Sequence, residues 1–314
     1  MKRVLHIDTN HPILVEGLEN LGFENTINTS APKAVIEQDI HQYVGLVIRS
    51  RFPIDSAFLD KAKNLKFIAR VGSGLENIDM EAAKKLGIAV LAAPEGNSPA
   101  VGEHALGMLL SLFNKIPTAD AEVRKGIWER EANRGEALDG KTIGIIGYGH
   151  TGKQFAKRLS GFDVTVLCHD ILPNSGDEFA KQVSLETLQQ EATVVSLHLP
   201  LNDTTFHYVN QAFISKMKHP FWLINTARGN QVVTSDLVEG LKSGVIKGAC
   251  LDVLDMEDSA FDVTIPSSKQ WNYLSRQTNI IFTPHVAGWT TKSHLELSEV
   301  ILQKIKALLQ TDFF

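Results

Sequence analysis

Cysteine is nearly absent from this chain: Cys168 and Cys250 are the only two among 314 residues. Both lie in apolar, strand-like runs and read as buried reduced thiols, so neither a disulfide framework nor a metal site is expected. Missing too is any apolar run approaching the ~20 residues that a membrane span needs. The N-terminal "MKRVLHIDTNHP" is too short and too interrupted for a signal peptide and reads directly as a first strand. Positive charge is not in excess, and a net charge of -5 argues against a general nucleic-acid surface. These absences lead to the expectation of a cytoplasmic protein without a metal site, a membrane span or a general nucleic-acid surface.

What is present is an ordinary globular composition, 43% apolar and 21% charged. The length suits about two domains of roughly 150 residues. Short apolar runs alternate with helical patterns along the first part: "RVLHID", "GLVIRS", "LKFIARV" and "IAVLAA" read as strands. "PILVEGLENLG", "IDSAFLDKAKN" and "NIDMEAAKKLG" read as helices between them. Strands separated by helices imply a parallel sheet covered on both faces. A long apolar helix is expected from about Pro99 to Ile116, stopped by Pro117. After a polar stretch a second alternation follows: "KTIGIIG", "FDVTVLCHD", "ATVVSLHLP", "FWLINTA", "KGACLDV" and "NIIFTPH". The closing helix "SHLELSEVILQKIKALLQ" is expected to pack back on the first unit. The fold class is therefore α/β, with two doubly wound parallel-sheet domains.

"GYGHTG" fits G-x-G-x-x-G with a strand before it, a helix after it and Asp170 ending the next strand about 20 residues on. Gly147 permits the sharp turn, Gly149 lets backbone approach a pyrophosphate, and Gly152 lets the helix pack close to the strand. The helix N-terminus offers N–H groups and a positive dipole end to phosphates. Asp170 would accept hydrogen bonds from ribose hydroxyls and repel a ribose phosphate, which favours NAD over NADP.

Three further stretches end strands with reactive side chains: Arg228 in "LINTARGNQVV", Asp252 and Glu257 in "GACLDVLDMED", and His285 in "NIIFTPHVAGWT". The carboxyl ends of strands in a doubly wound sheet form the ligand crevice. Hydride exchange between a carbinol and NAD needs a group that takes the hydroxyl proton and returns it. His285 suits this because imidazole titrates near neutral pH. Glu257 would fix the ring and favour the imidazolium, and the planar fork of Arg228 could hold a substrate carboxylate.

With "VGSGLENID", "GNSPAVGEHALGMLL", "GKTIGIIGYGHTG", "INTARG" and "TPHVAGWT" in this order, the sequence resembles the D-isomer-specific 2-hydroxyacid dehydrogenases over essentially its whole length. The resemblance implies a Rossmann NAD-binding domain, residues 98–287, inserted into a flavodoxin-like substrate domain, residues 1–97 and 288–314. A cleft between the two would close over the substrate. It implies Arg228, Glu257 and His285 as the catalytic trio. Ser73 and Gly74 would help bind the substrate carboxylate, and Asp252 would contact the nicotinamide carboxamide. His150, Thr151, Leu199, Pro200, Thr226, Ala227, His285 and Gly288 would line the cofactor, and no metal is implied. Relatives are generally homodimers joined through the long helix and the loop beyond it, although that helix also reads as an intrachain core helix.

Within the family, "VIRSR", "ARVGSG", "PEGNS" and "RKGIWER" are most similar to the phosphoglycerate dehydrogenases of serine biosynthesis. Arg49 and Arg70 stand where a phosphorylated substrate would meet positive charge, unless they and Arg51 form ordinary salt bridges; Lys125 and Arg130 could add to the same field. The other readings are a glyoxylate, hydroxypyruvate or related 2-oxo acid reductase, and an NAD-sensing binding protein. Two departures from the family pattern stand out. Glu257 is followed by Asp258 rather than Pro, and the segment from Glu257 to His285 is long enough to cap the cleft. The second is that the chain ends at Phe314 with no room for a small regulatory domain, so serine feedback through such a domain is not expected.

Overall fold

A computed structural model describes residues 2–257 and 268–311. The described chain divides into two compact units, one of residues 2–97 and 289–311, the other of residues 98–257 and 268–288.

The first unit is built on five parallel strands, β1 (Lys2–His6), β2 (Phe23–Ile27), β3 (Gly45–Ile48), β4 (Phe67–Arg70) and β5 (Ala89–Ala92). Their order is β2-β1-β3-β4-β5, the flavodoxin-like arrangement. The central strands β3 and β4 are buried at every residue and, apart from Arg70 at the end of β4, read as continuous apolar runs, as strands covered on both faces do. The closing helix, Thr291–Leu309, lays Leu297, Ile301 and Ile305 onto this sheet beside Leu14 and Leu18. It starts with a capping box in which Thr290 and Ser293 satisfy each other's backbone N–H groups.

The second unit carries seven parallel strands: β6 (Thr142–Ile146), β7 (Thr165–His169), β8 (Lys181–Gln182), β9 (Val194–Leu197), β10 (Phe221–Asn225), β11 (Ile246–Leu251) and β12 (Ile280–Phe282). The order is β12-β11-β10-β9-β6-β7-β8. The direction of winding reverses between β6 and β9. That reversal is the topological switch point, outside whose carboxyl ends doubly wound sheets bind ligands.

The structure adds a strand that the apolar pattern does not show, and it corrects two expectations about the long helix. Strand β2 carries no apolar run, because "FENTI" is an edge strand with one buried residue, Phe23. The long helix runs Pro94–Phe113 and includes Pro99, so it begins a turn and more earlier than Pro99 suggested. Pro117 does not stop it; the chain turns at Lys115, in the left-handed region, and Pro117 lies in the first turn of a new helix, Ile116–Arg124. Proline suits that first turn, where its missing N–H has no partner to lose. Of the long segment between Glu257 and His285, residues 258–267 lie outside the described residues, and with them its suggested capping role and the Asp258 departure.

Candidate active site

The glycine turn after β6 is shaped by contacts that no side chain could share. Gly147 has φ +88°, and a β-carbon there would stand 2.6 Å from the His198 carbonyl oxygen. At Gly152 a β-carbon would overlap the Gly147 carbonyl, so the helix His150–Leu159 presses onto the turn itself. A β-carbon at Gly149 would meet nothing within 4 Å, which leaves open space in front of the helix N-terminus. Asp170 holds the turn from the next strand: its carboxylate accepts the Tyr148 N–H at 2.7 Å and the Leu172 N–H at 2.9 Å. A turn at the switch point, a helix N-terminus and a carboxylate one strand over fit a dinucleotide. Thr226 adds a separate sign, because its Oγ1 is buried without a hydrogen-bond partner among the described residues.

Beyond β10, β11 and β12, three adjacent strand ends carry the reactive side chains. His285 Nδ1 lies 2.5 Å from Glu257 Oε2. A carboxylate only accepts, so the proton of this contact is carried by Nδ1. The other carboxylate oxygen of Glu257 accepts the Leu254 N–H at 2.6 Å. The Leu254 carbonyl in turn lies against Gly229, where a β-carbon would overlap it. The loops bearing Arg228, Glu257 and His285 are therefore in mutual contact or hydrogen-bonded. Arg228 itself donates from Nη1 to the Ala227 carbonyl at 2.7 Å. Asn225 clamps this turn from both sides, accepting the Ala227 N–H at 3.1 Å and donating to the Arg228 carbonyl at 2.9 Å.

Asp252 is a brace beneath His285. Its side chain is fully buried, and its carboxylate accepts from Thr283 Oγ1 at 2.5 Å, Val286 N–H at 2.9 Å and Ala287 N–H at 2.9 Å. Its carbonyl accepts the His285 N–H at 2.8 Å. His104 completes the group, with Nε2 3.0 Å from Thr283 Oγ1 and 3.6 Å from Asp252 Oδ1. Leu199 and Pro200 are tied through their carbonyls, both at 3.0 Å from Gln231 Nε2. His104, Asn225 and Gln231 were not signalled by the sequence, since each acts on residues distant in the chain or through backbone alone.

In the first unit, Ser73 Oγ donates to Asn97 Oδ1 at 2.5 Å. The three arginines near the strand ends differ sharply. The Arg51 guanidinium donates to the carbonyls of Ile7, Asn28 and Ala31 and is structural. Arg70 is 7% exposed, its guanidinium folded over Gly72. Arg49 lies flat on the indole of Trp289, 4.1 Å from the ring centroid, and among the described residues its guanidinium has no carboxylate partner. Asp8 is nearby but accepts the Arg49 backbone N–H at 2.6 Å. Burial pulls the Arg49 pKa below its usual value, with the Asp8 charge opposing.

Both cysteines are buried free thiols, and burial raises them, Cys168 to about 11 and Cys250 further still. No group of three or more metal-ligating side chains occurs among the described residues, and no described helix is long and apolar enough to cross a membrane.

Residues 106–287 match the family model of the D-isomer specific 2-hydroxyacid dehydrogenase NAD binding domain. The chain is 36% identical over 260 residues to a hydroxypyruvate reductase of Thermotoga maritima, covering 83% of each. It is 33% identical over 302 residues to a D-3-phosphoglycerate dehydrogenase of Archaeoglobus fulgidus, covering 94% of this chain and 55% of that one. The chain thus spans about half the length of that relative. Among solved structures, the D-lactate dehydrogenase of Aquifex aeolicus complexed with NAD and lactic acid superposes with a TM-score of 0.84 at 27% identity, covering 98% of this chain and 96% of that one.

Proposed function

The chain belongs to the D-isomer-specific 2-hydroxyacid dehydrogenase family, and we propose that it exchanges a hydride between NAD and a small D-2-hydroxy acid, as a glyoxylate or hydroxypyruvate reductase. The observation that carries the chemistry is the 2.5 Å pair of His285 Nδ1 with Glu257, on strand ends beside that of Arg228. The bound nicotinamide would supply the hydride donor or acceptor. His285 Nε2 gives a proton to the carbonyl oxygen of the oxo acid in reduction, and takes it from the hydroxyl in oxidation. Glu257 keeps the ring in the tautomer that leaves Nε2 for this exchange and offsets the charge of the imidazolium. Arg228 grips the substrate carboxylate with paired hydrogen bonds and polarises the adjacent carbonyl. Asp170 selects NAD over NADP by repelling a ribose phosphate.

The 36% identity with the Thermotoga hydroxypyruvate reductase, in an alignment covering 83% of both chains, supports the choice of a small oxo acid. A second reading, oxidation of 3-phosphoglycerate, is favoured by one feature: the Arg49 guanidinium held on Trp289 without a carboxylate partner among the described residues. A panel of glyoxylate, hydroxypyruvate and phosphohydroxypyruvate, each with NADH and NADPH, separates the two. Higher kcat/KM for the unphosphorylated acids with NADH supports the first reading. A preference of tenfold or more for the phosphorylated acid, lost in Arg49→Ala, would replace it with the second.

A further inference from the structure

At the switch point of the second unit, three polar side chains form a row that the chemistry above does not use. Ser196, on β9 and fully buried, has Oγ 2.9 Å from Nε2 of His198. On the other side of that ring, Nδ1 lies 3.2 Å from Thr151 Oγ1. Thr151 is the second residue of the helix His150–Leu159, whose N-terminus the glycine turn opens. The ring is buried and stacks on Phe155 with centroids 5.5 Å apart. Burial drives His198 down to a pKa of about 3, so it is neutral near neutral pH and carries a single N–H.

One N–H between two hydroxyls allows two arrangements. If Nε2–H donated to Ser196, the Ser196 proton would need another acceptor inside the sheet. Among the described residues, Ser196 Oγ has no hydrogen-bond contact besides the ring. Buried donors without acceptors are avoided, so this arrangement is disfavoured. In the other, Ser196 O–H donates to Nε2 and Nδ1–H donates to Thr151 Oγ1. The Thr151 oxygen then receives a proton from inside and keeps its own for an outside acceptor. A hydroxyl so reserved, on the first turn of a helix whose N–H groups and dipole already favour anions, presents hydrogen rather than lone pairs to a phosphate.

We propose that Ser196 and His198 are positioning residues that reserve the Thr151 hydroxyl as a hydrogen-bond donor to the cofactor's pyrophosphate. The inference rests on the NAD reading of the glycine turn and adds a polar relay behind it. Calorimetric titration of the full chain with NADH, and with ADP-ribose, which keeps the pyrophosphate but lacks nicotinamide, tests it. Thr151→Val and Ser196→Ala should each bind both ligands about tenfold more weakly, the loss of one charge-assisted hydrogen bond. Thr151→Ser should restore binding, and the Thr151→Val/Ser196→Ala double variant should be no weaker than Thr151→Val. Nitrogen-15 spectra should place the His198 proton on Nδ1. Wild-type affinity in Thr151→Val would overturn the proposal. So would a Ser196→Ala loss that persists in the Thr151→Val background, or a proton on Nε2. Failure of the wild-type chain to bind either ligand would instead remove the NAD reading on which the relay depends.

Discussion

His285 holds a φ of 54°, a left-handed conformation that costs a residue with a β-carbon about 1–2 kcal/mol. The surrounding contacts over-determine it: the Asp252 carbonyl takes its N–H, the Asp252 carboxylate takes the next two, and Glu257 takes the ring. Strain maintained in this way marks a site where ring placement matters more than local stability. Replacing His285 by Gln should lower kcat about 10²–10⁴-fold, the usual worth of a general acid–base group, with NADH binding retained. Glu257→Gln keeps the volume but replaces the charge-assisted contact to the ring with a neutral one, so kcat should fall with NADH binding retained. Undiminished kcat would leave the Glu257 contact without a part in the reaction. His198 adds a pH effect on folding. Its folded-state pKa, about 3, lies below the ordinary 6.5, so its contribution is complete above pH 6.5 and is lost as pH falls from there toward 3. Denaturant unfolding of His198→Gln across that window should show a flatter acid limb than the wild type.

At the scale of elements, the glycine turn makes two separable demands. Gly147→Ala must place a β-carbon at φ +88° and 2.6 Å from a backbone oxygen, so it should destabilise the second unit as well as abolish NADH binding. Gly149→Ala has open space and should melt near the wild-type temperature while binding NADH more weakly. Equal melting losses in both would place the demand on Gly149 in the protein rather than in the ligand space. Most of this architecture was legible in the sequence, because buried parallel strands such as β3, β4, β6 and β9 appear as mostly apolar runs between helical patterns. Two edge strands were less so: β2 has three polar residues in a row and β8 has only two residues. The polar ends of β10, β11 and β12 exposed Arg228, Glu257 and His285. Side chains such as His104 on Thr283 or His198 on Thr151 left no local signal, because their partners are distant in the chain.

For the molecule as a whole, the candidate residues fall in both units. The seven-stranded unit holds the glycine turn with Arg228, Glu257 and His285, and the five-stranded unit holds Ser73, Gly74 and Arg49. If Arg49 serves only as packing for Trp289, Arg49→Ala should lower kcat/KM alike for glyoxylate and phosphohydroxypyruvate. Selective loss with the phosphorylated acid, by about tenfold or more as expected for a charge-assisted contact, would assign it to a distal anion. The decisive measurement is NADH consumption with glyoxylate and hydroxypyruvate by the wild-type chain and by His285→Gln, with NADH affinity determined for both. Turnover by the wild type to a D-2-hydroxy acid, at least 10²-fold reduced in the variant with NADH affinity preserved, is the predicted result. No turnover of any 2-oxo acid by a chain that binds NADH, or undiminished turnover without His285, would contradict it.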